Sequence, residues 1–386
     1  MSVDVSRAQV AERDAAAEAE LHGLLLGLAG HLPDEVLTEL RDALAEGRRW
    51  QVARGAAVEA LAQGLELEPD EIDLLQAELG AGAADTDLDL VAALPDLRGR
   101  RRPPAWLFVS ALPEDPARAR PVVRPLDLTG DGDGDGHLDP ADRALLEELA
   151  GEPGLTAVWR CWRMPPPDRH WHEPVRLVVL SLDEGARDLP GLAVRLRRAL
   201  AGAGDPGAQV EACRAGLDAP LYQTLARSCG ALLWAARPAV PVRVARAFDG
   251  ADAVLGPWFA PDRPVVRDER ERRRLLDALD SAEFVARSGS RMTDVLDPDR
   301  GDVVPLHLRT DGAWVWSEAT AYYLAEHGLA PDPGLARHLL DPDGPPPLDE
   351  VALHRVLVHL LARPEADVAW TAHPAGGAEG SAGGHE

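Results

Sequence analysis

The sequence predicts an α+β protein of several domains, with a helical N-terminal region, an α/β middle domain and an α+β C-terminal domain. Three observations carry that expectation. Residues 1–95 are dominated by Ala, Leu and Glu, with apolar residues at helical spacing. After the basic, proline-marked stretch RGRRRPP (98–104), apolar runs of strand length alternate with amphipathic helical segments. From about residue 241 a third pattern begins, in which an Asp-Gly pair separates two apolar runs and a helical segment follows. The domains so delimited are 1–97, 103–240 and 241–366, and residues 367–386, rich in Gly, Ala and Ser, read as a disordered tail.

Each element has a local reason. PDEVLTELRDALAEG places Val36, Leu37, Leu40, Ala43 and Leu44 on one stripe, with Asp34 and Glu35 at the start, where they suit the helix dipole. EPDEIDLLQAELG repeats the logic with Pro69 in the first turn, Ile72, Leu75 and Leu79 on the stripe and Gly80 as the stop. About four helices of ordinary length fit before Pro95, and a small bundle buries such stripes. In the middle domain AWLFVSAL has strand length. TAVWRCWR, VRLVVLSL and AQVEACRA read as strands, and LPGLAVRLRRALAG and APLYQTLARSCGALLWAA as helices. The three prolines of PPPDRHWHEP exclude it from the sheet and make it a turn. In the last domain PVRVARAF is strand-like and RDERERRRLLDAL (267–279) is a charged helix. VVPLHLRT and AWVW, joined at Asp311-Gly312, form a hairpin. SEATAYYLAEHG is a helix with Ser317 as N-cap and Gly328 as its stop, and DEVALHRVLVHLLAR is a last amphipathic helix.

Composition excludes several function classes. The chain has 386 residues and a formal charge of 40 − 65 = −25. That balance argues against nucleic acid, which needs a basic footprint, and against an anionic membrane surface. No apolar run reaches the length of a membrane span, and the acidic N-terminus has no basic segment followed by an apolar one. The expectation is a cytoplasmic protein. Cys161, Cys213 and Cys229 are too scattered for a disulfide framework. The absence of Lys and Asn, with Ile72 the one isoleucine, reflects GC-rich codons.

Residues 155–236 resemble the C-terminal region of the SseB-like (enhanced serine sensitivity) family. The resemblance rests on the strand carrying Trp159 and Trp162, the VRLVVLSL strand, the following helix, the VEACRA strand and PLY at Tyr222. It covers about a fifth of the chain and brings no catalytic residues with it. Through RTDGAWVW and YYL (309–324) the whole chain resembles accessory or immunity-type proteins of high-GC bacteria, which implies a toxin or a secretion system as the partner.

Two constellations are candidate sites. DGDGDGHLDPAD places Asp131, Asp133 and Asp135 at positions 1, 3 and 5 of an EF-hand loop, Gly136 at 6, Asp139 at 9 and Asp142 at 12, with His137 between them. Oxygen ligands at this spacing suit a hard cation, so Ca2+ is the one cofactor the sequence suggests. Pro121 and Pro125 exclude the entering helix, and Asp142 stands where a longer Glu is usual. The second constellation is the hairpin. A two-residue turn sets Arg309 opposite Trp314 and His307 opposite Trp316, all on one face, while Val304, Leu306, Leu308 and Val315 take the core face. An Arg among Trp rings gains cation–π energy and is a frequent protein-contact type.

Other signals are weaker. His170 and His172 lie in the proline-rich turn without further ligands, and His354 and His359 do not share a helix face. There is no G-x-S-x-G, no phosphate-binding loop and, without Lys, no Schiff base. The expectation is a non-catalytic protein-binding protein of immunity or adaptor type, whose partner is a protein of basic character. The alternatives are a calcium-binding module and an enzyme with a site between the second and third domains.

Overall fold

The computed structural model describes residues 2–80, 85–97, 101, 105–112, 123–130, 138–165, 173–252, 256–342, 344 and 347–362. The protein is α+β with a helical N-terminus, and it divides into two compact units, 1–238 and 239–386. The described residues exclude the proline-rich turn with His170 and His172, and the segment 367–386 read as a disordered tail.

The first unit opens with helices α1 (Ser2–Leu28), α2 (Asp34–Ala45), α3 (Arg49–Gln63), α4 (Pro69–Gly80) and α5 (Asp85–Ala92). This is one more than expected, because the short α5 has little periodic signal. The predicted stripe of α2 is buried through Leu37, Leu40, Ala43 and Leu44, and that of α4 through Leu75 and Leu79. Helix α3 ends where Gly64 takes the left-handed conformation (φ +61°).

Next come β1 (Leu107–Val109), β2 (Leu126–Asp127), α6 (Pro140–Glu148), β3 (Leu155–Met164), β4 (Val175–Leu182), α7 (Leu189–Gly202), β5 (Gln209–Arg214), α8 (Leu221–Cys229) and β6 (Ala231–Ala235). The sheet order is β2-β6-β3-β4-β5, with β1 beside β3. Strands β3 and β4 are an antiparallel hairpin; β4 and β5 run parallel, linked through α7. Leu192, Leu196 and Leu200 of α7 share a core with Val178, Leu180, Val210 and Leu145. Each buried leucine contributes about 1.5–3 kcal/mol of burial free energy.

Two expectations are corrected in this unit. ALLWA, read as the end of a helix, is strand β6, paired with both β3 and β2. Gly230 makes the break: a Cβ there would lie 2.6 Å from the Ala226 carbonyl and 2.8 Å from that of Arg160, so only glycine lets the chain leave α8 and enter the sheet. Nor is the helical region a separate body. Arg41 Nη2 donates to both carboxylate oxygens of Glu211 of β5 at 2.7–2.8 Å, and Gln223 of α8 donates to the Leu26 carbonyl and to Glu211 at 3.0 Å. Arg163 of β3 donates to Asp34 at 2.8 Å and to Tyr222 at 3.1 Å. These buried polar contacts join 1–97 to the sheet across the basic stretch read as a linker.

The second unit contains β7 (Arg243–Val244), β8 (Gly250–Asp252), β9 (Gly256–Trp258), α9 (Glu269–Ser281), β10 (Glu283–Ala286), β11 (Arg291–Thr293), β12 (Asp302–Pro305), β13 (Leu308–Thr310), β14 (Trp314–Ser317), α10 (Glu318–His327), α11 (Pro333–Leu339) and α12 (Glu350–Leu361). One sheet has the order β10-β13-β14-β7, while β11–β12 and β8–β9 are two-stranded. Ser317 caps α10 through the Ala319 N–H, and Gly328 ends it in the left-handed region, as the sequence predicts.

Candidate functional site

Among the described residues no group of three or more His, Cys, Asp or Glu side chains is arranged to hold a metal ion. Of the acidic loop, residues 131–137 lie outside the described residues, which leaves Asp131, Asp133, Asp135 and His137 without a structural account. Asp139 and Asp142 are described, and both are committed to arginines. They form a capping box at the start of α6: the Asp142 N–H donates to Asp139 at 2.9 Å and the Asp139 N–H to Asp142 at 3.3 Å. Asp142 is fully buried, with Arg160 at 2.5 Å and Arg176 at 2.7 Å on its two oxygens. Arg176 also binds Asp139, reaches Asp205 at 2.7 Å, and lies over the Trp162 ring at 4.6 Å. Burial pushes the Asp142 carboxyl up against the pull of both guanidinium groups. Burial also opposes ionisation of Asp139, but its bonds from Arg176 and the Asp142 N–H outweigh it and hold that carboxyl low.

Positions 9 and 12 of the expected cation loop therefore do not fit Ca2+, because guanidinium groups already hold their oxygens. Adding about 10 mM Ca2+ is expected to leave the thermal midpoint, followed by circular dichroism, where EDTA leaves it; a tight site would raise stability by more than about 1 kcal/mol.

The hairpin is corrected in two respects. The turn is longer than two residues, so Arg309 pairs with Trp316 and Thr310 with Val315. A shift of two residues keeps the alternation, but the face it selects is not open. Trp316 is fully buried and Trp314 is 8% exposed. Both indoles share a core with Leu275 and Leu279 of α9, Leu324 of α10 and Leu335 of α11. Val304 and Val315 are buried as expected, whereas Leu306 and Leu308 are half-buried. Arg309 does not lie between the indoles. It binds Glu318 at 2.7 Å, donates to the Asp280 and Ala282 carbonyls at 2.9 and 2.7 Å, and stacks on Phe284 at 3.8 Å. The His307 Nδ1 accepts from the Ser288 N–H at 3.0 Å, which places its proton on Nε2, 3.9 Å from Glu318. The four residues are thus core and brace, not a contact surface.

A polar centre absent from the sequence reading lies around Asp294. Its carboxylate is fully buried and accepts from Tyr322 Oη at 2.9 Å, His327 at 2.7 Å and the N–H groups of Leu296 (2.9 Å) and Asp297 (3.3 Å). Burial opposes ionisation here, but the bonds from His327, Leu296 and Tyr322 prevail and keep the carboxyl below the usual range. A depressed carboxylate stabilises the fold above its unfolded value near 4, and that contribution is lost as pH falls through the lower folded value. Asp294→Ala strands four donors, so a loss of about 1–3 kcal/mol is expected in denaturant titrations at pH 7, shrinking toward pH 3.

The thiols offer no nucleophile: burial raises Cys161, pushes Cys213 up to about 12 and Cys229 up to about 11. No described helix is long and apolar enough to cross a membrane. Comparisons with protein-family models, with curated proteins and with solved structures give no match.

Proposed function

We propose that this chain is a non-catalytic protein-binding protein, of adaptor or immunity type, that takes a basic partner on its acidic surface. One observation carries the reading. The described interior holds five arginines (Arg41, Arg160, Arg163, Arg176, Arg227) and five carboxylates (Asp87, Asp142, Glu211, Asp294, Glu350). Among the described residues buried charge therefore cancels, so the described interior takes up none of the chain's formal charge of −25. A negative field speeds encounter with a basic protein and disfavours acidic ones. The SseB-like resemblance of 155–236 belongs to the same proposal and supplies no catalytic group. Trp314 and Trp316, both buried, take no part in it.

The test is capture from the source organism on the immobilised full chain, followed by association kinetics with each purified binder. A basic partner whose on-rate falls at least about tenfold from 50 to 500 mM salt supports the reading. A salt-independent on-rate removes the acidic surface from it. Turnover of any small molecule by the isolated chain overturns the non-catalytic part.

A further inference from the structure

Strand β5 is an edge of the large sheet, and side chains of the N-terminal helices reach it: His22 of α1 at Ala212, and Thr38 and Arg41 of α2 at Gln209 and Glu211. The Ala215 N–H donates to the Leu182 carbonyl, so the odd-numbered residues turn their backbone groups toward β4 and Val210, Ala212 and Arg214 turn theirs outward. The outward carbonyl of Ala212 accepts from His22 Nε2 of α1 at 2.7 Å. That bond puts the imidazole proton on Nε2 and leaves Nδ1 buried with no partner. Alongside, a small recess of about 10 Å³ is lined by Arg41 of α2, by Ala193, Val194 and Arg197 of α7 and by Gln209 and Val210 of β5.

We propose that α1 and α2 form a gate over the β5 edge, closed while His22 is neutral and loosened when Nδ1 takes a proton. The charges around His22 make the gate one-way. Arg41 of α2 and Arg214 of β5 both repel a protonated imidazole. The carboxylate of Glu211 is already taken by Arg41 and by Gln223 of α8. Among the described residues, the charges that act on His22 are these two arginines. Burial, and then the two arginines, accordingly push the imidazole down to about 4. A histidine depressed from 6.5 in the unfolded chain stabilises the closed form fully above pH 6.5. That contribution fades between pH 6.5 and 4 and does not change further below. An opened edge presents unpaired outward N–H and C=O groups, the feature that strand-adding partners use.

The experiment is hydrogen exchange of the full chain at pH 7 and pH 4.5, with rates normalised for intrinsic exchange. The expected result is a fall in protection of about tenfold or more over 12–28 and 209–214, with 157–163 and 175–182 retaining theirs. His22→Gln keeps an amide donor for Ala212 without a titrating group, so its β5 protection is expected to be equal at both pH values. His22→Phe, which fills the space and lacks the donor, reads the same independence should the first variant fold poorly. Three results would overturn the proposal: unchanged protection in the parent, loss across β3 and β4 in parallel with β5, or the same pH response in both variants.

Discussion

Arg176→Met is expected to destabilise the first unit by about 3–5 kcal/mol, the usual effect of removing one partner from a buried ion pair. The side chain is 4% exposed and serves three carboxylates, Asp139, Asp142 and Asp205. Methionine replaces the stem and keeps contact with the Trp162 ring, so the loss is one of charge and not of volume. Asp142 is then left fully buried with Arg160 alone. For a unit of this size a fall in thermal midpoint of about 10 °C follows. Two further measurements identify the cause. Asp142→Asn should cost less in the Arg176→Met background than in the parent, because one of the two ion pairs it breaks is already gone. The penalty should also shrink as the pH is lowered, since burial already raises the Asp142 carboxyl and a proton can take the place of the arginine. A midpoint within about 2 °C of the parent would mean that Asp142 is neutral in the native protein and that the network contributes little.

The same network shows what the sequence made legible and where it stopped. Stripes such as Leu37, Leu40 and Leu44, or Leu192, Leu196 and Leu200, announce their helices because burial repeats every turn. The caps Ser317 and Gly328 are equally local. ALLWA is too short for a period to separate helix from strand, and the arbiter was Gly230, whose crowding depends on a backbone atom of Arg160 seventy residues away. Arginine in an amphipathic strand or helix normally reads as solvent-facing. Arg163 and Arg41 are instead buried by carboxylates 129 and 170 positions distant, and no local pattern reports such a pair. The RGRRRPP boundary misled for that reason: it marks a change of composition, while the contacts that unite the two sides are long-range. Asp294 and His327, 33 residues apart, were invisible by the same argument. The hairpin alternation was legible, and it survived the longer turn. What alternation does not report is whether a second layer lies on the face it selects.

Trp316→Ala is expected to cost about 3–5 kcal/mol, the range for removing a large buried aromatic side chain. Were the indole a partner contact, the variant would remain as stable as the parent and lose binding alone. Its placement predicts the reverse order of events: the second unit melts first, and any loss of binding follows from that. Trp316 has no exposed surface and packs with Leu275, Leu279, Leu324 and Leu335, residues of three different helices. Truncation at this point therefore loosens α9, α10 and α11 together, since their common wall is lost. Its Nε1 has no hydrogen-bond partner. A buried N–H without an acceptor is itself unfavourable, so Trp316→Phe gives up ring volume but relieves an unmet donor, and a loss of only about 1 kcal/mol is expected. Trp314→Ala falls between the two, because that ring keeps 8% exposure near the rim of the core, with Arg243 and His338 beside it. Chemical denaturation followed by Trp fluorescence and far-UV circular dichroism ranks the three variants. The order Trp316→Ala, Trp314→Ala, Trp316→Phe from least to most stable is what a core position requires, and a flat series would return both rings to the surface.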